Sequence, residues 1–300
     1  MGWLLRKSEE KTAAKETADN ESSGSMALLL GWGAVLVATA GLWAGAEQWL
    51  KPRIAETHQN KPLVTFEAPD WMPRELTDQL KSQIDPHLSV DPYDQASLRR
   101  ISEILRQSPW IGDLERVARK ADNTVHIEAT FRRPVALVQS KGKWHLVDAQ
   151  GHRLPNYLSA ADTRPAAKLL KLSRGAITGI ARPAPPPGQR WEGEDLRAAL
   201  KLVALIDRTD WADQVRRVDA SNFRGRKNKS SAHLVIQTHR GGWVLWGRPP
   251  GSEGVYEPAA DRKLANLRRI ATAHDGRIDA AGAGWIVDLT QDGTWIHPAR

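Results

Sequence analysis

The sequence predicts an α+β protein: an N-terminal transmembrane helix, a small β-α-α-β-β domain, and then a β-rich domain with two or three helices. Three observations lead to this prediction. They are a long uncharged stretch near the N-terminus, a following segment in which strand and helix periodicities alternate, and a C-terminal half with several strand patterns. The chain has 300 residues, a formal net charge of +8 and no cysteine.

The uncharged stretch runs from Met26 to Ala46. As an α-helix it would cover roughly 30 Å, the thickness of a bilayer core. We interpret it as an uncleaved membrane anchor, preceded by a disordered cytoplasmic tail (1–25) and followed by a juxtamembrane linker (47–61). A cleaved export signal remains the alternative, because Ala44-Gly45-Ala46 has the form of a signal-peptidase site. A buried core helix is disfavoured, since the stretch has no polar face.

The orientation is predicted from charge, size and cysteine content. Basic residues before the stretch slightly outnumber those just after it, which is a weak positive-inside bias. A short tail and one span before a large folded part are the usual geometry of an exported domain. The absence of cysteine is compatible with an oxidising compartment. The predicted location is therefore the cell inner (plasma) membrane, with the C-terminal part outside the cytoplasm.

Residues 62–134 are predicted to form the small domain. Its helices are indicated by apolar residues four apart, and its clearest strand by strict alternation of apolar and polar residues. The predicted elements are a strand at Leu63–Phe66, a helix opened by Pro73, a helix from Asp91 to Ser108, and strands at Ile111–Val117 and Val125–Phe131.

Residues 135–300 are predicted to form the β-rich domain. Glycine turns between apolar runs indicate hairpins, and apolar residues three and four apart indicate helices. The predicted elements are a helix at Gly193–Arg208, a hairpin around Gly241 and Gly242, a helix that carries Leu264, Leu267 and Ile270, and a final hairpin around Asp292 and Gly293.

An ordered set of phrases across residues 26–297 resembles the bacterial cell-division protein family FtsQ (DivIB). The phrases are Ser108-Pro109-Trp110-Ile111, Arg132-Arg133-Pro134-Val135-Ala136, Trp144-His-Leu-Val-Asp148 with Gly151, Ala176-Ile-Thr-Gly179, Val218-Asp219-Ala220-Ser221-Asn222, Gly242-Trp-Val-Leu-Trp-Gly247 and Ile286-Val-Asp-Leu289. The resemblance implies a POTRA-like domain at 62–134 and an FtsQ-like domain at 135–300. It also implies a non-enzymatic scaffold whose partners are FtsB- and FtsL-like division proteins, and further FtsW- or FtsI-like ones.

The final hairpin is the candidate partner-binding site. If its last strand lies at a sheet edge, its unpaired backbone groups can accept a strand from another protein. Tryptophan is over-represented in binding hot spots. The alternative is a plain terminal strand, protected by its shortness. The predicted partner-binding residues are Trp285, Val287, Leu289, Thr294, Trp295, Ile296 and His297.

The sequence indicates no catalytic, cofactor or metal site. Cysteine nucleophiles are excluded, and the glycine-rich phosphate and nucleophile motifs are absent from the sequence. The nearest metal-like group is His145, Asp148 and His152, in which the first two are predicted on opposite faces of a strand. The basic run Arg224–Lys229 contains no stacking platform, so we interpret it as a mobile basic loop rather than a nucleic-acid site. No small-molecule substrate is predicted.

The function predicted from the sequence is a membrane scaffold of the division machinery that acts at the septum, with the bilayer contacted through residues 26–46. Two alternatives remain open. One is a POTRA-containing secretion or envelope-assembly component, although a repeated module or a barrel is expected there. The other is a secreted basic binding protein, which requires cleavage after Ala46.

Overall fold

The computed structural model describes residues 41–43, 45–46, 61–155, 176–280, 282–293 and 295–299. The predicted tail, most of the predicted anchor and all but the last residue of the predicted linker lie outside these residues. The chain divides into two compact units, one of residues 1–62 and 89–94 and the other of residues 63–88 and 95–300. All elements described below belong to the second unit.

The N-terminal part of this unit has a three-stranded sheet and two helices. Its elements are β1 (Leu63–Phe66), α1 (Arg74–Ile84), α2 (Gln95–Gln107), β2 (Ile111–Arg119) and β3 (Thr124–Phe131). The strand order is β1-β3-β2, with β1 parallel and β2 antiparallel to β3. Helix α1 follows Pro73, whose φ of −66° suits a helix start, and it buries Leu76, Leu80 and Ile84 on one face. The local helices and strands predicted for this segment are present.

The rest of the unit is built on a nine-stranded sheet with order β12-β11-β10-β9-β8-β7-β4-β5-β6. Its strands are β4 (Pro134–Ser140), β5 (Lys143–Asp148), β6 (Arg153–Leu154), β7 (Ala176–Thr178), β8 (Val215–Asp219), β9 (Leu234–Thr238), β10 (Trp243–Gly247), β11 (Trp285–Asp288) and β12 (Trp295–Pro298). Helix α3 (Glu194–Ile206) lies between β7 and β8 in the chain, and α4 (Ala260–Ala273) between β10 and β11.

The two helices α3 and α4 belong to parallel crossovers. Strand β7 pairs in parallel with β8, and β10 in parallel with β11, so each helix connects neighbouring parallel strands. A parallel pair cannot be closed by a tight turn, and a helix is the usual connection. Apolar residues of α3, α4 and the sheet share one hydrophobic core, which includes Leu196, Val203, Ile236, Trp246 and Leu267.

The fold class predicted from the sequence is wrong. Of the helices that the structure describes, none combines the length and the apolar character needed to cross a bilayer. The part of the chain that the structure describes is a mixed α/β fold with a large nine-stranded sheet. Within that sheet the pairs β4–β7, β7–β8 and β10–β11 are parallel. The prediction of a β-rich domain with antiparallel strands failed because periodicity locates strands but does not identify their partners.

The two sheets share a core cluster. Leu76 and Leu80 of α1 and Trp110 pack with Leu146 of β5 and Leu154 of β6. The predicted domain boundary between residues 134 and 135 therefore crosses a buried contact within one compact unit, and that boundary stays a prediction.

Candidate functional site

The candidate site is the last strand, β12, which stands at one end of the nine-stranded sheet. It pairs antiparallel with β11, in the register Ile286↔His297, Val287↔Ile296 and Asp288↔Trp295. Strand β11 is itself held between β12 and the parallel strand β10. The edge of β12 that faces away from β11 is therefore not paired with any other strand of the described residues.

The backbone of β12 alternates between paired and outward-facing groups. The N–H of Ala299 donates to the carbonyl of Gly284 across the hairpin, at 2.7 Å. Because a strand alternates with a period of two, His297 and Trp295 also direct their N–H groups toward β11, and Ile296 directs its N–H outward. Pro298 has no N–H, so it offers only its carbonyl at the open edge.

The side chains of β12 differ in exposure. Trp295 is 61% exposed, and Ile296 is 37% exposed. Ile296 lies opposite the fully buried Val287, so it projects on the face of the sheet that packs against α4. Trp295, its neighbour in the chain, projects from the other face. A partner strand along β12 would therefore meet an apolar side chain on each face.

Ile296 also closes a small groove beside α4. The groove has a volume of about 300 Å³ and is lined by Asn266, Arg269, Ile270, Ala273, His274 and Ile296. Its α4 residues lie three and four apart, which places them on one side of that helix. These residues were not predicted as part of the site, although their spacing is visible in the sequence.

The predicted site residues fall into distinct groups. Trp295, Ile296 and His297 lie on the exposed edge strand, and Trp285, 36% exposed, begins β11. Val287 and Leu289 are fully buried, so they support the strand from the core and cannot contact a partner directly. Thr294 lies outside the described residues. The assignment of partner binding to these residues stays a prediction.

The segment between β10 and α4 is held to α4 by a buried ion pair that was not predicted from the sequence. The Lys263 ammonium is fully buried and donates to the carbonyl of Trp246 at 2.6 Å and to Glu257 Oε1 at 2.5 Å. Glu257 also accepts the backbone N–H groups of Arg248 and Gly254. Burial lowers the pKa of Lys263, and the hydrogen bond from Lys263 to Glu257 opposes that shift.

Two members of the metal-like group predicted from the sequence, Asp148 and His152, form a hydrogen-bonded network with Arg132. Asp148, 1% exposed, lies 3.1 Å from Arg132 Nη1 and 3.0 Å from His152 Nδ1. Its other oxygen accepts the backbone N–H of His152, at 2.7 Å. His145 is apart from this network and packs edge-to-face on Trp191, with ring centroids 5.9 Å apart. Within the described residues no group of three or more metal-ligand side chains is close enough to hold an ion.

Burial of His145 is expected to make the folding stability of the protein depend on pH. Its Nδ1 is buried without a hydrogen-bond partner in the described part of the chain. Burial lowers the pKa of His145, and the charges of Arg153 and Lys143 lower it further. The unfolded chain therefore takes up this proton at a higher pH than the folded protein does. Stability is lost as the pH falls through about 6.5, the ordinary histidine value, toward the lower folded pKa.

We expect His145→Phe to flatten the loss of stability between about pH 7.5 and pH 5, because phenylalanine keeps the packing on Trp191 and removes the titrating ring. Urea unfolding at several pH values measures the slope. The matched control is His239→Phe, at an exposed position. An equal flattening in both variants would assign the pH dependence to something other than the burial of His145.

A comparison with models of known protein families and with curated proteins found no match. The FtsQ (DivIB) resemblance therefore rests on the sequence phrases alone and stays a prediction.

Proposed function

We propose that this chain is a non-enzymatic scaffold of the bacterial division machinery, and that it recruits partner division proteins by strand addition at β12. The observation that carries the proposal is the outer edge of β12, which no strand of the described residues covers, with Trp295 exposed beside it. An unpaired edge strand is a ready template for a strand from another chain. The ordered sequence phrases support the choice of division proteins as the partners.

The binding mode follows from the two faces of the strand. The backbone groups of Ile296 and the carbonyl of Pro298 supply main-chain hydrogen bonds to an added strand. An apolar side chain of the partner on one face would enter the groove beside α4, next to Ile296. A side chain on the other face would pack on Trp295. Buried aromatic contacts of this kind contribute about 2 kcal/mol or more at interface hot spots.

The proposed partners are FtsB- and FtsL-like proteins, and further FtsW- or FtsI-like ones. The proposed location is the division site at the inner (plasma) membrane, with the C-terminal part outside the cytoplasm. The support for this location comes from the sequence, in which residues 26–46 carry no charge.

The test is the localisation of a fluorescent fusion of the full chain in dividing cells. We expect septal enrichment of the natural chain and its loss in Ile296→Pro, because proline removes the outward N–H at the open edge. Ile296→Ala keeps that N–H and trims the side chain, so it should retain more enrichment than the proline variant. Trp295→Ala should lose enrichment through the lost aromatic contact.

The matched control is Tyr93→Ala, since Tyr93 is a 46% exposed aromatic residue that is not part of the hairpin. Equal enrichment of all variants would move recruitment away from β12. An even envelope signal from the natural chain would refute the division role and favour the secretion or envelope-assembly alternative. A mass matching cleavage after Ala46 would favour the secreted binding protein.

A further inference from the structure

A second candidate site lies beside α3, in a cleft of about 640 Å³. This volume falls within the usual range of small-ligand sites. The cleft is built from one face of α3, the segment between β8 and β9, and the segment after β10. Its lining residues include none from β11 or β12. The cleft is therefore separate from the proposed partner-binding edge.

The rim of the cleft is cationic. Arg197 and Lys201 stand four residues apart on α3, and Arg224 and Arg248 come from the two loop segments. The one carboxylate in the lining, Glu194, lies 2.6 Å from Arg224 and offsets that charge. Arg197 and Lys201 are exposed and have no ion-pair partner within the described ranges. Arg248 also has an acidic partner outside the lining, since its Nε lies 4.0 Å from Glu257 Oε2. The excess positive charge of the cleft therefore comes mainly from Arg197 and Lys201.

The loop that carries Arg224 is fixed in place. Asn222 donates its amide N–H groups to the carbonyls of Asn228, Ser231 and Ala232. Its side-chain oxygen accepts the backbone N–H groups of Lys227 and Asn228. The loop interpreted from the sequence as mobile is therefore tied at both ends to one buried side chain. A loop whose backbone is already fixed loses less conformational freedom when a ligand binds beside it.

The loop is also tied down by Arg226. Its guanidinium donates to the carbonyls of Gly179 and Ala220 and lies 3.2 Å from Asp195. The Arg226 side chain is therefore occupied by contacts that hold the loop in place. Arg224, two residues earlier, points its guanidinium over the ring of Phe223 at 5.8 Å from the centroid.

The floor of the cleft is aromatic and apolar. Phe223 meets His233 edge-to-face, with ring centroids 6.1 Å apart, and both line the cleft with Ala198 and Pro249. An apolar floor under a cationic rim matches a ligand that has an anionic head and a less polar body. Arginine side chains bind phosphate with two parallel hydrogen bonds, which gives geometric selectivity beyond charge.

We propose that this cleft binds the phosphate group of an organic phosphate, held by Arg197, Lys201 and Arg248 over the floor of Phe223 and His233. The same headgroup chemistry occurs in free phosphate compounds and in anionic lipid headgroups. The proposal is independent of partner binding at β12, because the two sites share no lining residue.

His233 provides a local readout of occupancy. Burial lowers its pKa, Arg248 and Arg224 lower it further, and Glu257 opposes them. The other charged groups around the cleft are Glu194, Arg197 and Lys201. A bound phosphate would favour the protonated imidazole, so we expect the pKa of His233 to rise on binding. NMR titration of the imidazole with and without pyrophosphate measures this shift.

The binding test uses the full 300-residue chain, with pyrophosphate as the probe. Binding is measured by titration calorimetry at low ionic strength. We expect saturable binding that weakens about tenfold or more in Arg197→Glu with Lys201→Glu, since each charge-assisted hydrogen bond typically contributes that much. The matched control is Arg208→Glu with Arg268→Glu, which changes the same number of charges at exposed positions outside the cleft lining.

The outcomes distinguish a specific phosphate-binding site from non-specific electrostatic attraction. Loss in the cleft variant with binding kept in the control, at unchanged unfolding midpoints, supports the proposal. Equal weakening in both variants, or binding that never saturates, overturns it. Citrate binding as tight as pyrophosphate would overturn the assignment of phosphate.

Vesicles distinguish the two sources of the headgroup. Binding to phosphatidylglycerol vesicles that is competed by pyrophosphate and lost in the cleft variant supports a lipid source. Pyrophosphate binding without such vesicle binding supports a free phosphate compound. Vesicle binding equal in both variants and unaffected by pyrophosphate, together with no pyrophosphate binding, overturns the proposal.

Discussion

Gly179→Ala is expected to lower the free energy of unfolding by about 4 kcal/mol or more. Losses of this size are seen for only a few kinds of substitution. Gly179 follows β7 and has φ of +80°, a conformation that disfavours any side chain. A Cβ there would also lie 2.5 Å from Ser221 Cα and closer still to the Ser221 backbone nitrogen. The clash is with backbone, so no rotamer change relieves it.

Gly142→Ala is the matched control. Gly142 lies in the turn between β4 and β5 with φ of +76°, and a Cβ there would meet nothing within 4 Å. It should therefore show only the conformational cost, about 1–2 kcal/mol. Urea unfolding of both variants gives the difference in free energy of unfolding, which isolates the clash of the added Cβ with Ser221 and Asp219 Oδ1. Failure of the Gly179 variant alone to accumulate in folded form agrees with the prediction, whereas similar stability of the two variants contradicts it.

Lys263→Met is expected to cost about 3–5 kcal/mol, because it leaves the largely buried carboxylate of Glu257 without its ammonium partner. The methionine also removes the hydrogen bond to the Trp246 carbonyl and the cation over the Trp246 ring, at 5.1 Å from its centroid. Two backbone N–H groups still reach Glu257 in the variant, from Arg248 and Gly254. These two N–H groups satisfy hydrogen bonds of the carboxylate. Arg248, whose Nε lies 4.0 Å from Glu257 Oε2 on an exposed side chain, offsets the carboxylate charge only in part.

The double variant Lys263→Met with Glu257→Gln should recover a large part of that loss, since a neutral pair removes the buried charge. The control is Lys201→Met on α3, an exposed lysine whose replacement should change stability by about 0.5 kcal/mol at most. Denaturant unfolding of the natural protein, the single variants Lys263→Met and Glu257→Gln, and the double variant completes the cycle. No recovery in the double variant would show that packing at Lys263, and not charge pairing with Glu257, sets the cost.

Much of the local structure was predictable from nearby residues. The spacing of Leu76, Leu80 and Ile84 predicted α1, and the alternation of Val125 to Phe131 predicted β3. The final hairpin was also found near its predicted place, at Trp285–Asp288 and Trp295–Pro298. These predictions depend only on residues that are close to each position in the sequence.

The candidate site was predictable only in part. The exposed residues of β12 were selected for their aromatic and apolar character, but burial of Val287 and Leu289 required knowledge of which face meets the core. The groove beside α4 was missed because nothing in the sequence places that helix next to β12. The buried role of Lys263 was missed because lysine is almost never fully buried unless it is paired.

The sequence by itself determined the periodic helices and strands, the glycine turns, the basic charge and the lack of cysteine chemistry. The tertiary structure decided how the strands pair, including the three-residue strand β7 inserted in parallel between β4 and β8. It also decided which edge stays open and which cations meet in the cleft beside α3. The physical reason is range: periodicity depends on neighbours in the chain, whereas pairing and burial depend on residues brought together from far apart.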